Sequence, residues 1–165
     1  MADNIPCIGL FGTCGGSRWR DPFVAAYRER GIRWFNPQVD NWTPECADIE
    51  AQHLARDEII LFPVTGETYG TGSLAETGFS LLQAVRTSAT RYVVFMIEQA
   101  LAPELMGNEA AAKESLRARK LVAAHLNENR SPNAFKVDSL EAMLELSVDL
   151  WGVADRVGEL HRRYG

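Results

Sequence analysis

A chain of 165 residues, 46% hydrophobic and 24% charged, is long enough to bury one substantial core, and a single domain spanning 1–165 is the expectation. Its net charge of −5 argues against a general surface for nucleic acid polymers, whose phosphate backbones demand clustered positive charge. No apolar run approaches the roughly 20 residues that a bilayer crossing requires, and Met1-Ala-Asp-Asn-Ile5 lacks the blocks of a signal peptide, so no membrane partner and a cytoplasmic location are expected.

Ile5 to Phe11 has the length and apolarity of a first strand. The loop Gly12-Thr-Cys-Gly-Gly-Ser-Arg-Trp-Arg20 follows it and leads into a helix from Pro22 to Arg30. Small residues with free N–H groups, the hydroxyl of Ser17 and the guanidinium groups of Arg18 and Arg20 suit a phosphate or carboxylate, as well as a plain turn with solvated arginines. The loop is neither a Walker A sequence nor Gly-x-Gly-x-x-Gly. Gly12, Gly15, Gly16, Ser17, Arg18, Trp19 and Arg20 are its candidate ligand contacts.

Ile32 to Phe35 reads as the second strand, and the loop Asn36 to Pro44 after it is dense in amides. Asn36, Gln38, Asp40 and Asn41 suit sugar hydroxyls or a base edge, and Trp42 suits stacking on a ring; Asn-Pro and Thr-Pro are also ordinary turn formers. Asn36, Asp40 and Trp42 are retained as candidates. A helix over Glu45 to Ala55 comes next.

The third strand, Ile59 to Val64, is followed by Thr65 to Gly72 and a helix over Ser73 to Arg86. Ser73-Leu-Ala-Glu76 has the form of a capping box, in which serine and glutamate satisfy each other's backbone N–H groups at a helix start. The same position, at the carboxyl edge of a sheet beside Gly70-Thr-Gly72, suits a carboxylate nucleophile held ionised by the helix terminus. Tyr69, Gly72 and Ser73 join the candidate binding residues. Glu67 and Asp57 are candidate second carboxylates, with a solvated loop residue and a helix-end turn as their ordinary readings.

Tyr92 to Ile97 is a fourth strand, Asn108 to Leu126 a helix, Ala134 to Val137 a weaker fifth strand and Ser139 to Arg163 a last amphipathic helix. Strands alternating with helices predict a three-layer α/β/α domain with a five-stranded parallel sheet in the flavodoxin-like (Rossmann-like) order 2-1-3-4-5. Cys7, Cys14 and Cys46 are odd in number and form no Cys-x-x-Cys, and His53, His125 and His161 show no ligand spacing, so no metal site is expected and the cysteines read as free thiols.

Three features together resemble the nucleoside 2-deoxyribosyltransferase-like family of the flavodoxin-like N-glycosidase superfamily. They are the Gly-rich loop with Trp19-Arg20, Asn36-Pro37 after the second strand, and Gly72-Ser-x-x-Glu76-x-Gly78 after the third, spanning about the first half of the chain. The resemblance implies that Glu76 attacks the anomeric carbon of a nucleoside or nucleotide, forming a glycosyl-enzyme that another base or water resolves. It implies no cofactor and a homo-oligomer. Members carry an aspartate six residues before the nucleophile; this chain has Gly70 there, so Glu67, Asp57 or Asp40 would have to act in its place. Gly15-Gly16-Ser17-Arg18 also looks like the phosphate-reading loop of deoxynucleoside monophosphate N-glycosidases, and Gly70 to Glu76 matches part of the motif of phosphoribohydrolases. A non-catalytic binder of nucleotides or metabolites is the alternative from a different class.

Overall fold

The computed structural model describes residues 5–41, 43–86 and 90–165, with the backbone alone at 79–86. Five parallel strands, β1 (Cys7–Leu10), β2 (Arg33–Phe35), β3 (Ile59–Val64), β4 (Tyr92–Ile97) and β5 (Ala134–Lys136), form one sheet in the order β2-β1-β3-β4-β5. Helices α1 (Arg20–Arg30), α2 (Pro44–Arg56), α3 (Thr71–Arg86), α4 (Glu109–Asn127) and α5 (Leu140–Tyr164) connect and follow them, with a short 3₁₀ turn at Pro103–Gly107. The order is the expected one. Among the described residues no helix is long and apolar enough to cross a membrane.

Alternation along the central strands sorts the core into two layers. Ile59 and Leu61 of β3 face one side with Ile8, Leu10, Val94 and Met96, where Phe23 and Tyr27 of α1 and Met143 and Leu150 of α5 cover them. Ile60, Phe62 and Val64 face the other side with Val93 and Phe95, under Leu54 of α2, Leu74 of α3 and Val122 of α4. Every residue of β3 is buried, as a strand covered on both faces requires. The Tyr27 hydroxyl meets that of Ser147 at 2.5 Å and ties α1 to α5.

Pro63 stands inside this central strand without breaking the ladder. Pairing with β1 ends at Leu10↔Leu61, so the proline N lies past the point where a β1 partner would need it. Its carbonyl is used instead, accepting from the N–H of Thr13 at 2.9 Å and fixing the loop that leaves β1. Gly31 ends α1 in the left-handed region (φ 66), and Asn108 and Ser139 cap α4 and α5 by accepting from the N–H groups of Ala111 and Ala142.

Candidate active site

In this strand order the connections run to opposite sides of the sheet at β1 and β3, and the loops leaving those strands part to open a crevice. A cleft of about 550 Å³ lies there, walled by the β1–α1 loop, the β2–α2 loop, α2 and the start of α3. Of the sequence candidates, Gly12, Gly15, Asp40, Gly72, Ser73 and Glu76 line it.

Gly12 and Gly15 both have positive φ, 91° and 79°. A Cβ on Gly12 would stand 2.3 Å from the Pro63 carbonyl oxygen, so the loop crosses β3 closely only because this residue is glycine. Thr13 extends the stitch, since its hydroxyl accepts from the N–H of Thr65 at 2.9 Å. Two loops that frame the cleft are thereby joined to each other.

Helix α3 begins at Thr71, earlier than the capping-box reading placed it, with the first helical bond from Leu74 N–H to Gly70 O at 2.8 Å. Ser73 is therefore inside the helix, its carbonyl accepting from the Thr77 hydroxyl at 2.7 Å, and Glu76 falls in the second turn with no acidic residue in the first. That geometry replaces both the capping box and the idea of a carboxylate held ionised at the terminus. Burial first, and the charge of neighbouring Glu50 second, hold the Glu76 carboxyl above the usual range, although the residue keeps an exposed face.

Glu50 is the cleft carboxylate that sequence reasoning missed. It lines the same cleft from α2, half-buried, with its carboxyl raised by burial and drawn back by the Arg20 guanidinium. The residues of α2 that are not exposed, Cys46, Glu50, His53 and Leu54, recur at helical spacing and put a carboxylate on the inward stripe, while the apolar Ile49 is turned to solvent, so the hydrophobic pattern of the sequence hid it. Cys14 also lines the cleft and is exposed.

The arginines of the first loop go elsewhere. Arg18 points to solvent, 85% exposed, in an ion pair with Asp21 at 2.7 Å. Arg20 is 2% exposed and donates to the carbonyls of Leu10 (2.9 Å) and Thr13 (2.7 Å) and to Gln38 Oε1 (3.2 Å). Trp19 is buried against Phe23, its indole N–H on Thr13 O at 2.9 Å. Trp19 and Arg20 build the loop, and Gln38 latches it by donating to Gly15 O at 2.6 Å.

Other candidates are likewise spent on structure. The Ser17 hydroxyl donates to Glu67, which also accepts from the Thr65 hydroxyl at 2.9 Å, so Glu67 bridges two loops outside the cleft lining. Gly16 is open to space and lies outside the lining too. Asn36 Oδ1 accepts from the N–H of Gln38 at 3.0 Å, closing a turn. The Tyr69 hydroxyl donates to Leu105 O at 2.8 Å, and the ring borders a separate apolar cavity between α3 and α4. Asp57 caps the end of α2 at the opposite edge of the sheet, so the expectation that it acts beside Glu76 is not met. Trp42 lies outside the described residues.

A side chain at position 70 has no room. The φ of Gly70 is +66°, and a Cβ there would stand 2.9 Å from Val64 Cγ1 and 3.1 Å from Arg119 Nη2. Arg119, with no exposed surface, occupies that ground and donates to the carbonyls of Val64, Thr65, Thr68 and Glu98 at 2.8–3.1 Å. A buried cation under the β3–α3 loop thus fixes the backbone that delivers Glu76.

Fold and site together define a flavodoxin-like α/β/α domain with an acidic cleft at its strand-order reversal. No protein-family model matches the chain, and no curated protein matches it.

Proposed function

We propose that the chain cleaves or exchanges the N-glycosidic bond of a nucleoside, with Glu76 as nucleophile and Glu50 as its proton-handling partner. The convergence of these two carboxyls, from two helices, on one cleft is the observation that carries the reading. A carboxylate oxygen of Glu76 bonds to the anomeric carbon while the C–N bond breaks, and its electron pair stays on the base nitrogen, which takes a proton. Glu50 supplies that proton, the part for which sequence offered Glu67, Asp57 or Asp40. In the second step Glu50 takes a proton from water or an incoming base, whose attack on the anomeric carbon breaks the ester and frees Glu76.

The charge of Glu50 on Glu76 suits this cycle, because Glu76 ionises more readily once Glu50 is protonated. Arg20 keeps Glu50 from holding its proton too firmly. Asp40, Glu50 and Glu76 line the cleft, with no lysine or arginine among the described lining residues, which favours a free nucleoside over its monophosphate. Nucleotide binding without chemistry, and a phosphoribohydrolase-like reaction, both need a phosphate anchor that Arg18 and Arg20 do not offer here.

The deciding experiment incubates the protein with nucleosides and their monophosphates, with and without a second free base, and separates the products chromatographically. Base release lost in Glu76→Gln is expected, with a new nucleoside in the two-base samples marking a transferase. Full turnover in Glu76→Gln would refute the nucleophile, and monophosphates outpacing nucleosides would refute the reading of the lining.

A further inference from the structure

At the far end of β3 from the cleft, three groups of metal-ligating chemistry meet that sequence spacing did not connect. Cys7 opens β1, His53 lies in the last turn of α2, and Asp57 is the residue that ends α2. His53 and Asp57 are four apart, so they share a helix face, and strand β1 brings the thiol to them. One donor atom from each, the thiol sulfur, a ring nitrogen and a carboxylate oxygen, lie within 4.8 Å of one another.

We infer that Cys7, His53 and Asp57 form a binding site for a divalent zinc-type cation, with water as the fourth ligand. Zinc takes thiolate at about 2.3 Å and imidazole or carboxylate at about 2.0–2.2 Å, which places tetrahedral donors about 3.3–3.6 Å apart. His53 Nδ1 already stands 3.0 and 3.1 Å from the two Asp57 oxygens. Seating the ion therefore asks for an opening of a few tenths of an ångström between these two and a sulfur approach of roughly 1 Å at most.

The surroundings hold the donors in place. The His53 ring stacks on Phe35, centroids 3.6 Å apart and planes 2° apart, which fixes the direction of its nitrogens. Arg91 donates to the carbonyls of Leu54 (2.6 Å) and Asp57 (2.9 Å), pinning the end of α2 through the backbone. Gly9 leaves room for the carboxylate, since a Cβ there would come within 2.9 Å of Asp57 Oδ2.

Charge completes the case. Cys7 and Asp57 are each 4% exposed, and the groups hydrogen-bonded to the Asp57 carboxylate in this cluster are a histidine and a thiol, with the Arg91 donors turned to carbonyls. Thiolate, carboxylate and neutral imidazole with a divalent ion sum to zero, and the S, N, O donor set suits borderline zinc over magnesium or calcium. His53, 28% exposed at its side chain, marks the entry path and the place of the water ligand. The ion would clip the start of β1 to the end of α2.

The test is cobalt(II) titration of chelator-treated protein under reducing conditions, together with the metal content of the protein as purified. One equivalent should bind with a sulfur-to-cobalt charge-transfer band and the visible bands of a four-coordinate site, and zinc should displace it. Cys7→Ser should abolish the charge-transfer band, and Asp57→Asn should weaken binding at least tenfold. The Cys14→Ser/Cys46→Ser double variant keeps Cys7 as the only thiol and decides the matter should Cys7→Ser fail to fold. A charge-transfer band there supports the site; its absence, or a band that survives Cys7→Ser, overturns it.

Discussion

Replacing Arg119 by methionine tests the claim that one buried cation organises the loop behind Glu76. Methionine has a similar reach and no donors. The change removes the guanidinium from the carbonyls of Thr65, Thr68 and Glu98, while Val64 O keeps the N–H of Glu98 at 3.0 Å. Hydrogen bonds from a charged donor contribute about 1.5–3 kcal/mol each, so three amount to roughly 4–9 kcal/mol. Removing a buried cation also relieves a desolvation cost of several kcal/mol, and the net loss should be near 3 kcal/mol. With a urea m-value of about 2 kcal/mol/M the unfolding midpoint falls by roughly 1.5 M. Arg119→Lys should recover part of it, one ammonium reaching fewer carbonyls. Hydrogen exchange should quicken more at Gly66 to Gly72 than at Val93 to Phe95, where it speeds only by the global stability lost. A midpoint shift below about 0.3 M, or exchange that quickens evenly across the sheet, would refute the role assigned to this side chain.

Three more outcomes are expected. Burial raises the Glu50 and Glu76 carboxyls, and the charge of Glu50 adds to the effect on Glu76, so the folded chain holds their protons more tightly than the unfolded chain; the stability they add is full below the unfolded value of about 4.3 and is lost as pH rises through the folded values. Glu76→Gln should therefore flatten the decline of thermal stability as pH rises above the unfolded value and raise the melting temperature at neutral pH by about 1–3 °C, a small figure because the residue is partly solvated; a melting temperature that falls by several degrees would contradict this. Gly12→Ala forces a positive φ on alanine and drives its Cβ toward the Pro63 carbonyl, which should cost about 2–4 kcal/mol in urea unfolding and open the first loop; a loss under about 0.5 kcal/mol would show that the crossing is loose. Of the three thiols, Cys14 is exposed, Cys46 partly so and Cys7 buried, so a thiol reagent should label Cys14 first and Cys7 only on unfolding, and rapid labelling of Cys7 in the native protein would contradict its placement.

The layers and the strand order were legible because β3 and β4 are unbroken apolar runs, and their limits fall where the hydrophobic pattern puts them. Helix starts were less so. Arg20 and Thr71 begin α1 and α3 two residues before the expected Pro22 and Ser73, since the turn is set by contacts with neighbouring strands and not by the local capping pattern. In the site, Glu76 and the glycines of the first loop were readable from their place after strands. Glu50 required seeing the inward stripe of α2. The roles of Arg20 and Arg119 left no pattern at all, because most of their partners are backbone carbonyls, in the case of Arg119 as many as 55 residues away. Cys7 and Asp57 meet for a similar reason, across the β1–β3 register.

The two outer strands, β2 and β5, have three residues each. A second copy approaching either edge finds a ladder only about 10 Å long, too short to hold a continuous sheet across two molecules. Growth by strand addition is thereby discouraged at both flanks, and the same shortness guards against runaway fibre-like stacking. Any surface for a second copy is then sought away from the sheet edges, where α5 offers Val153, Val157 and Leu160 to solvent. The sheet then stays the private interior of each copy.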